Sequence, residues 1–428
     1  MSTLQPVRGT HDLLPDEMRA FRHVVETGRT TASRYGFDEM ATPIFEFSGV
    51  FARTLGDTSD IVTKEMYTFA DRKGESITLR PEGTAGVARA FISNGLGNDL
   101  PFKVFYSGPM FRYERPQKGR QRQFHQIGVE LLGVPDAQAD VEVIALGRHI
   151  LDSLGLKGNV ALEINTLGDP ESREAYRAAL VNYLSGHIGL LSSDSRDRLD
   201  RNPLRILDSK DEGDRAVIAN APLLGEYLNP ASRAFYEDLK NGLMDLGLEF
   251  VENPRLVRGL DYYGHTAFEF TTDALGAQGT VMAGGRYDGL IKTMGGGATP
   301  GVGWAAGVER LSMLLSQPPA TVRPVAMIPA GADPMIKREA MILTDRLRRA
   351  GFAVDLGFSG NMGKRMKRAN KVSARVAVIF GEDERLARAV TLRDLDSGEQ
   401  ATVTLDRMED TVRAMLASAP SEVAIGGI

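Results

Sequence analysis

The chain of 428 residues contains no cysteine. Disulfides, thiolate zinc sites and cysteine nucleophiles are therefore excluded, and the composition suits a reducing cytoplasm. No run of about 18 apolar residues occurs, so nothing reads as a membrane span. The opening residues, MSTLQPVRGTHDLLPDEM, lack a basic stretch followed by an apolar one, and no secretory signal is expected. The six histidines include no HExxH pair or comparable ligand spacing, so no protein-bound metal is expected. A G-x-S-x-G elbow, a phosphate loop ending in Gly-Lys-Ser/Thr and the dinucleotide fingerprint are all missing, and no repeat of 20–50 residues is seen.

What is present is a globular composition, 42% hydrophobic and 25% charged, at a length that calls for two or three domains. The net charge of −5 argues against one large basic face, but fields are local and a confined cationic site remains open. One stretch has that character. FRYERPQKGRQRQFHQ, residues 111–126, places Arg112, Arg115, Lys118, Arg120 and Arg122 close together and mixes aromatics among them.

The pattern along the chain predicts a helix over 16–36 ending at Gly36. An extended segment follows around Pro43, which favours an edge or interface position. A hairpin is expected over 65–80, turning near 72–74, and then two strands joined by the basic loop. Residues 170–248 have helical spacing and read as a mainly helical insertion. Strands return at 250–272 and 279–291, and WAAGVERLSMLLSQ reads as a helix after a glycine-rich strand. SQPPATVRP (316–324) is a proline-rich linker. Beyond it, strand and helix patterns alternate as in a small α/β domain with a parallel sheet. Residues 320–428 carry a net charge of +3 and the remainder −8, an asymmetry that permits a polyanionic partner for the tail.

Chemistry can be read from four segments. Arginine presents a planar fork of donors matched to phosphate or carboxylate and stays charged. Arg112 at a strand end would be rigidly held, Glu114 would share its face, and Phe124 offers a ring on which a base can stack. The competing reading is a solvated hairpin tip. In GVGWAAGVERL (301–311), small residues that allow close approach lead into a helix carrying Glu309 and Arg310. LVRGLDYYGH (256–265) and AGGRYDGL (283–290) supply Arg258, Asp261, Tyr262, Tyr263, Tyr287 and Asp288, a set suited to a small polar ligand; singly, each tyrosine reads first as structural. In TLRPEGTAG (78–86), Glu82 and Thr84 suit an ammonium group, although Glu82 alone reads as a helix N-terminus complementing the dipole.

Together and in this order, these segments resemble class II aminoacyl-tRNA synthetases. FDEMATPIFEF is similar to the first class motif, FRYERPQKGRQRQFHQ to the second and GVGWAAGVER to the third. LVRGLDYY and AGGRYDGL, with RGTHDLLP near the start, resemble the signature segments of the histidyl-tRNA synthetase family. The resemblance covers nearly the whole chain. It implies an α+β catalytic domain over 1–320, an antiparallel sheet flanked by helices with the helical insertion at about 170–248, and an α/β anticodon-binding domain over 324–428. It implies activation of L-histidine by ATP, with Mg2+ accompanying ATP, and transfer to the terminal adenosine 3′-hydroxyl of tRNA-His. The enzyme would be a cytoplasmic homodimer with Pro43 at its interface and no membrane partner.

The resemblance also implies roles. Arg112, Arg258 and Arg310 would be catalytic. Arg112 would hold the α-phosphate of ATP beside the bound histidine, with Glu114 and Phe124 near the adenine and Arg120 on the phosphates. Arg310 would stack on the adenine and reach the γ-phosphate. Arg258 would sit by the α-phosphate, where other class II enzymes rely on a metal. Glu82, Thr84 and Gln126 would bind the α-amino group. Glu130, Tyr263 and Tyr287 would surround the imidazole, with Tyr262 in the same wall. Lys364, Arg365, Lys367, Arg368 and Lys371 fall in the anticodon-binding domain, as a phosphate grip or a solvated helix face. Gln121 departs from the family pattern, which commonly has an aromatic there. The alternative is the synthetase-like regulatory subunit of ATP phosphoribosyltransferase, which usually lacks the tail domain and intact signature segments.

Overall fold

The computed structural model describes residues 4–55, 61–117, 119–257, 262–276, 279–316 and 319–417. It divides into two compact units, Met1–Pro319 and Ala320–Ile428.

In the first unit, helix Pro15–Arg34 begins with a proline in its first turn and has Asp16 and Glu17 at its positive end. It stops at Gly36, whose φ of +77° a glycine adopts without strain. Gly36 N donates to Ser33 O and Phe37 N to Ala32 O, which satisfies two of the last carbonyls. Eleven strands follow in chain order: β1 (Asp38–Glu39), β2 (Phe45–Phe47), β3 (Tyr67–Ala70), β4 (Ser76–Leu79), β5 (Phe102–Phe111), β6 (Gln123–Leu132), β7 (Ala161–Thr166), β8 (Val251–Glu252), β9 (Gly264–Thr271), β10 (Thr280–Arg286) and β11 (Gly301–Gly307). Eight of them form one sheet in the order β1-β5-β6-β11-β10-β9-β7-β8. The inner pairings are antiparallel, and only the two edge strands β1 and β8 pair in parallel.

Side-chain alternation divides this sheet into two faces. Phe105, Ile127, Val129, Leu131, Phe268, Phe270, Val302 and Trp304 enter the main core, where helices Pro15–Arg34, Ala137–Ser153 and Pro230–Asp245 cover them. The opposite face carries Tyr106, Gln126, Glu130, Ala267 and Gly303, with helix Thr84–Ser93 beside it. Trp304–Gly307, expected to be helical, belongs to β11, and the helix starts only at Val308. Its small residues allow β-pairing on both edges.

Between β7 and β8 the chain is helical. Tyr176, Leu180, Leu184, Leu191, Leu199 and Ile206 form a small core of their own. Helix Pro230–Asp245, expected to belong to the insertion, instead places Tyr236, Leu239 and Leu243 in the main core. β2, β4 and β3 form a separate antiparallel sheet.

The second unit contains β12 (Val325–Ala330), β13 (Val354–Leu356), β14 (Val376–Gly381), β15 (Ala389–Asp394) and β16 (Gln400–Thr404), ordered β13-β12-β14-β15-β16. The expected parallel sheet is corrected to a mixed one. β12 pairs in parallel with β13 and β14, but β14–β15 and β15–β16 are antiparallel. β14 is buried along its whole length, as a central strand between helices requires. In β15, Val390 and Leu392 face the core and Thr391 and Arg393 turn outward, the alternation of a sheet with one wet face.

Candidate active site

β5 and β6 pair without a break from Phe102↔Leu132 to Phe111↔Gln123, so the loop at 112–122 leaves a rigid ribbon. Arg112 Nε donates to Pro81 O at 2.9 Å, and its guanidinium lies 5.3 Å from the Phe124 ring centroid. Arg120 Nη1 donates to Glu114 Oε2 at 3.1 Å. Arg122 stacks on Tyr113 at 3.9 Å, and its main-chain N–H donates to Gly9 O at 2.7 Å. Arg122 thus serves the loop itself and ties down the RGTHDLLP segment, while Arg115 is exposed.

Helix Val308–Leu314 meets this ribbon at Glu309, whose carboxylate accepts from His125 N at 3.0 Å and lies 2.7 Å from His125 Nδ1. The next residue, Arg310, has its Nε and Nη2 buried with no hydrogen-bond partner in the structure. Burial, then the neighbouring Arg120, lowers its pKa. A half-buried guanidinium beside another is stabilised by an anion brought between them.

Ten of the expected site residues come together on one cavity of about 320 Å³: Glu82, Thr84, Arg112, Glu114, Arg120, Phe124, Gln126, Tyr262, Tyr263 and Arg310. Gln121, Glu269 and Thr280 line it too. Gln126 Oε1 is buried there without a hydrogen-bond partner, an acceptor suited to an incoming N–H. Glu82 plays the helix-end part as well: its carboxylate accepts from Thr84 N at 2.6 Å and Ala85 N at 2.9 Å. Burial nevertheless raises its pKa against those bonds. Arg258 lies outside the described residues, as do Lys118 and Asp261.

Glu130 and Tyr287 do not line the cavity. They are 1% exposed each and sit behind Thr84. Thr84 Oγ1 donates to Glu130 Oε1 at 2.6 Å, the Tyr287 hydroxyl donates to Glu130 Oε2, and the Tyr106 hydroxyl stands 3.5 Å from Oε1. Burial raises the Glu130 pKa to about 8, because three hydroxyls do not replace the water it has lost. The carboxyl lies against Gly303, where a Cβ would overlap it. Tyr287 meets the rings of Tyr262 and Tyr263 edge to face, and those two are tilted against each other, with centroids 4.5–6.4 Å apart.

Two features went unread in the sequence. Tyr106 reaches Glu130 from β5 across the register, and no spacing rule marks it. Arg286, within AGGRYDGL, is fully buried and bound to Asp140, Asp288 and the carbonyls of Val134 and Asp136. It fixes the end of β10 immediately before Tyr287. An arginine in a run of otherwise small residues was the available signal.

The sequence profile described as histidyl-tRNA synthetase matches residues 9–311, and that of an anticodon binding domain matches 324–415. The chain belongs to the histidyl-tRNA synthetase family. It is 66% identical over 417 residues to the histidine–tRNA ligase of Rhodospirillum rubrum, covering 97% of this chain and 100% of the relative. It is 58% identical to that of Gluconacetobacter diazotrophicus, covering 95% and 97%. The apo histidyl-tRNA synthetase of S. aureus has a similar structure, with a TM-score of 0.81 at 35% identity over 96% of this chain and 99% of that one. A structure described as an ATP phosphoribosyltransferase regulatory subunit/histidyl-tRNA synthetase from Bacillus halodurans shares the fold, with a TM-score of 0.60 at 22% identity over 86% and 97%. The family's catalytic fold thus accounts for the antiparallel sheet and its cavity, and the second profile for the tail unit.

Proposed function

We propose that this chain activates L-histidine with ATP to histidyl-adenylate and transfers the histidine to the terminal adenosine 3′-hydroxyl of tRNA-His. The observation that carries the reading is a single cavity holding three guanidinium groups, those of Arg112, Arg120 and Arg310, together with carboxyl, amide and tyrosine groups. Identity of 66% to a histidine–tRNA ligase along the whole of that relative supports it.

The first step brings a carboxylate to an α-phosphate, so two anions must approach. Arg112, held by Pro81 O and Phe124, is the cation for the α-phosphate and the attacking carboxylate. Arg310 and Arg120 take the outer phosphates, and the adenine lies by Phe124 and Glu114. Arg258 adds a further charge at the α-phosphate, on the strength of the family resemblance. No side-chain nucleophile is needed, since the substrate carboxylate attacks; positioning and fixed charge carry the step. Mg2+ would enter with the ATP substrate, where it would offset phosphate charge, and Glu114 and Glu269, carboxylates on the cavity wall, would be the residues to hold it. The α-amino group goes to Glu82, Thr84 and Gln126. The imidazole lies against Tyr262 and Tyr263 on the cavity wall and points toward Glu130 and Tyr287, which stand behind Thr84. An imidazole N–H donates best to the Glu130 carboxylate, the form that burial makes scarcer by holding the proton up to about 8. An amino acid lacking the ring nitrogens would leave buried polar groups unpaired, which is a strong form of discrimination.

The tail unit would take the anticodon. On helix Met362–Lys371, Arg365 is buried and donates to Pro329 O, and Arg368 pairs with Asp355 at 2.7 Å, while Lys364, Lys367 and Lys371 remain exposed. Those three lysines are the phosphate grip. The chain would work as a cytoplasmic homodimer, joined through the apolar face of the β2-β4-β3 sheet. No helix among the described residues is long and apolar enough to cross a membrane.

ATP–pyrophosphate exchange with each amino acid in turn tests the reading. Exchange with histidine alone supports it. Exchange with another amino acid overturns the pocket assignment, and a folded, ATP-binding protein without exchange favours the regulatory-subunit reading.

A further inference from the structure

Tyr106 has no part in the activation scheme above, yet it lies on the site's buried side beside Glu130. It lies on β5 directly opposite Gly128 of β6 and is 4% exposed. Its ring fills the space of two missing side chains, since a Cβ on Gly83 or on Gly128 would overlap the phenol. Any larger residue at either place would move the hydroxyl. That hydroxyl stands 3.5 Å from Glu130 Oε1, the oxygen that Thr84 Oγ1 also approaches at 2.6 Å. Tyr287 attends the other oxygen.

We propose that Tyr106 is a positioning residue for histidine recognition, which holds the Glu130 carboxyl in orientation and biases it toward its charged form. This rests on the assignment of Glu130 to the imidazole. Burial and the nearby Glu130 push the Tyr106 pKa far up, so the phenol keeps its proton and stands as a donor to a carboxylate. Glu130 faces Glu82 from ahead of helix Thr84–Ser93, Tyr106 from β5, Tyr262 from ahead of β9 and Tyr287 from beyond β10. β11 offers it only the backbone of Gly303. Among the described groups facing it none is a cation, and the donors to its charged form there are the hydroxyls of Thr84, Tyr106 and Tyr287. A bond of 3.5 Å is long for a neutral donor, and it tightens as the acceptor takes charge.

The test is Tyr106→Phe, which keeps the ring in its slot and removes only the hydroxyl. Histidine-dependent ATP–pyrophosphate exchange is measured from pH 6 to 9. The expected result is a rise in KM for histidine of about tenfold, as for loss of a hydrogen bond to a charged group, with KM for ATP unchanged. The acid limb of kcat/KM for histidine should also move to higher pH, because removing a donor to the carboxylate raises the Glu130 pKa. A fall in rate that is uniform across pH, with the limb unmoved, would mean the hydroxyl is merely structural and overturns the proposal. So would an unchanged KM and profile. If the unaltered protein itself fails to activate histidine, the functional assignment fails instead, and that outcome is read from the unaltered protein alone.

Discussion

Two side chains show most clearly how burial sets chemistry at the scale of the residue. Arg310 carries donors that are buried without protein partners, an arrangement that loses free energy until an anion arrives. Arg310→Ala should reduce adenylate formation by about 10²–10³, the usual effect of removing one charge-stabilising donor. Single-turnover adenylate formation would measure it, with circular dichroism confirming an intact fold. Glu130 works in the opposite sense. Its folded pKa of about 8 lies above its ordinary value of 4.5, so the folded state binds the proton more tightly than the unfolded chain does. The protonated form's contribution is complete below about pH 4.5 and is lost as pH rises toward 8. Glu130→Gln cannot ionise and should escape that loss. The difference in Tm between the variant and the unaltered protein should therefore grow in the variant's favour from pH 5 to pH 8, as followed by calorimetry. A constant difference would show that Glu130 titrates normally.

Among the elements, the β5–β6 ribbon and the end of β10 do most to build the site. The strands and the charged loop between them were legible, because aromatic and β-branched runs flank a cluster that no strand could bury. Their register was not. A loop of this length leaves it open by one or more residues, so sequence could not bring Tyr106 opposite Gly128 or Tyr287 over Glu130. The helix assigned from Trp304 failed for a related reason: a short apolar run of small residues has no period that separates helix from strand. The buried pair Arg286–Asp140 was equally hidden, since its partners lie far apart in sequence and both are 0% exposed. Asp140→Ala would leave the buried guanidinium charged with only the more exposed Asp288 to balance it. We expect a loss of about 3–5 kcal/mol in urea unfolding, whereas replacing both residues with apolar ones of similar volume should cost much less. Because Arg286 precedes Tyr287, the single variant should weaken histidine binding as well.

At the scale of the whole molecule, the linker prolines and the change of charge balance along the chain are local signals, readable without any knowledge of packing. The mixed sheet of the second unit was missed because its antiparallel edge depends on a hairpin beyond the last helix–strand alternation. The clearest surface consequence lies on the β2-β4-β3 sheet. Phe45 and Phe47 on β2 and Phe69 on β3 face the same side as Ile77 and Leu79 on β4, and the three phenylalanines are 50–58% exposed. An apolar face of this kind marks an association surface. If the chain forms the proposed homodimer through this face, Phe47→Glu combined with Phe69→Glu should convert it to a monomer in sedimentation velocity; an unchanged coefficient would place the interface elsewhere. Trp304 has a different consequence. It is the chain's one tryptophan, with its indole N–H donating to Val143 O at 2.9 Å in the core and its residue forming part of the cavity wall. The molecule therefore carries a single tryptophan fluorophore, placed under the candidate site and absent from the tail unit. Its emission reports on the first unit alone, so a melting curve read by tryptophan light and one read by peptide absorbance will separate wherever the two units come apart at different temperatures.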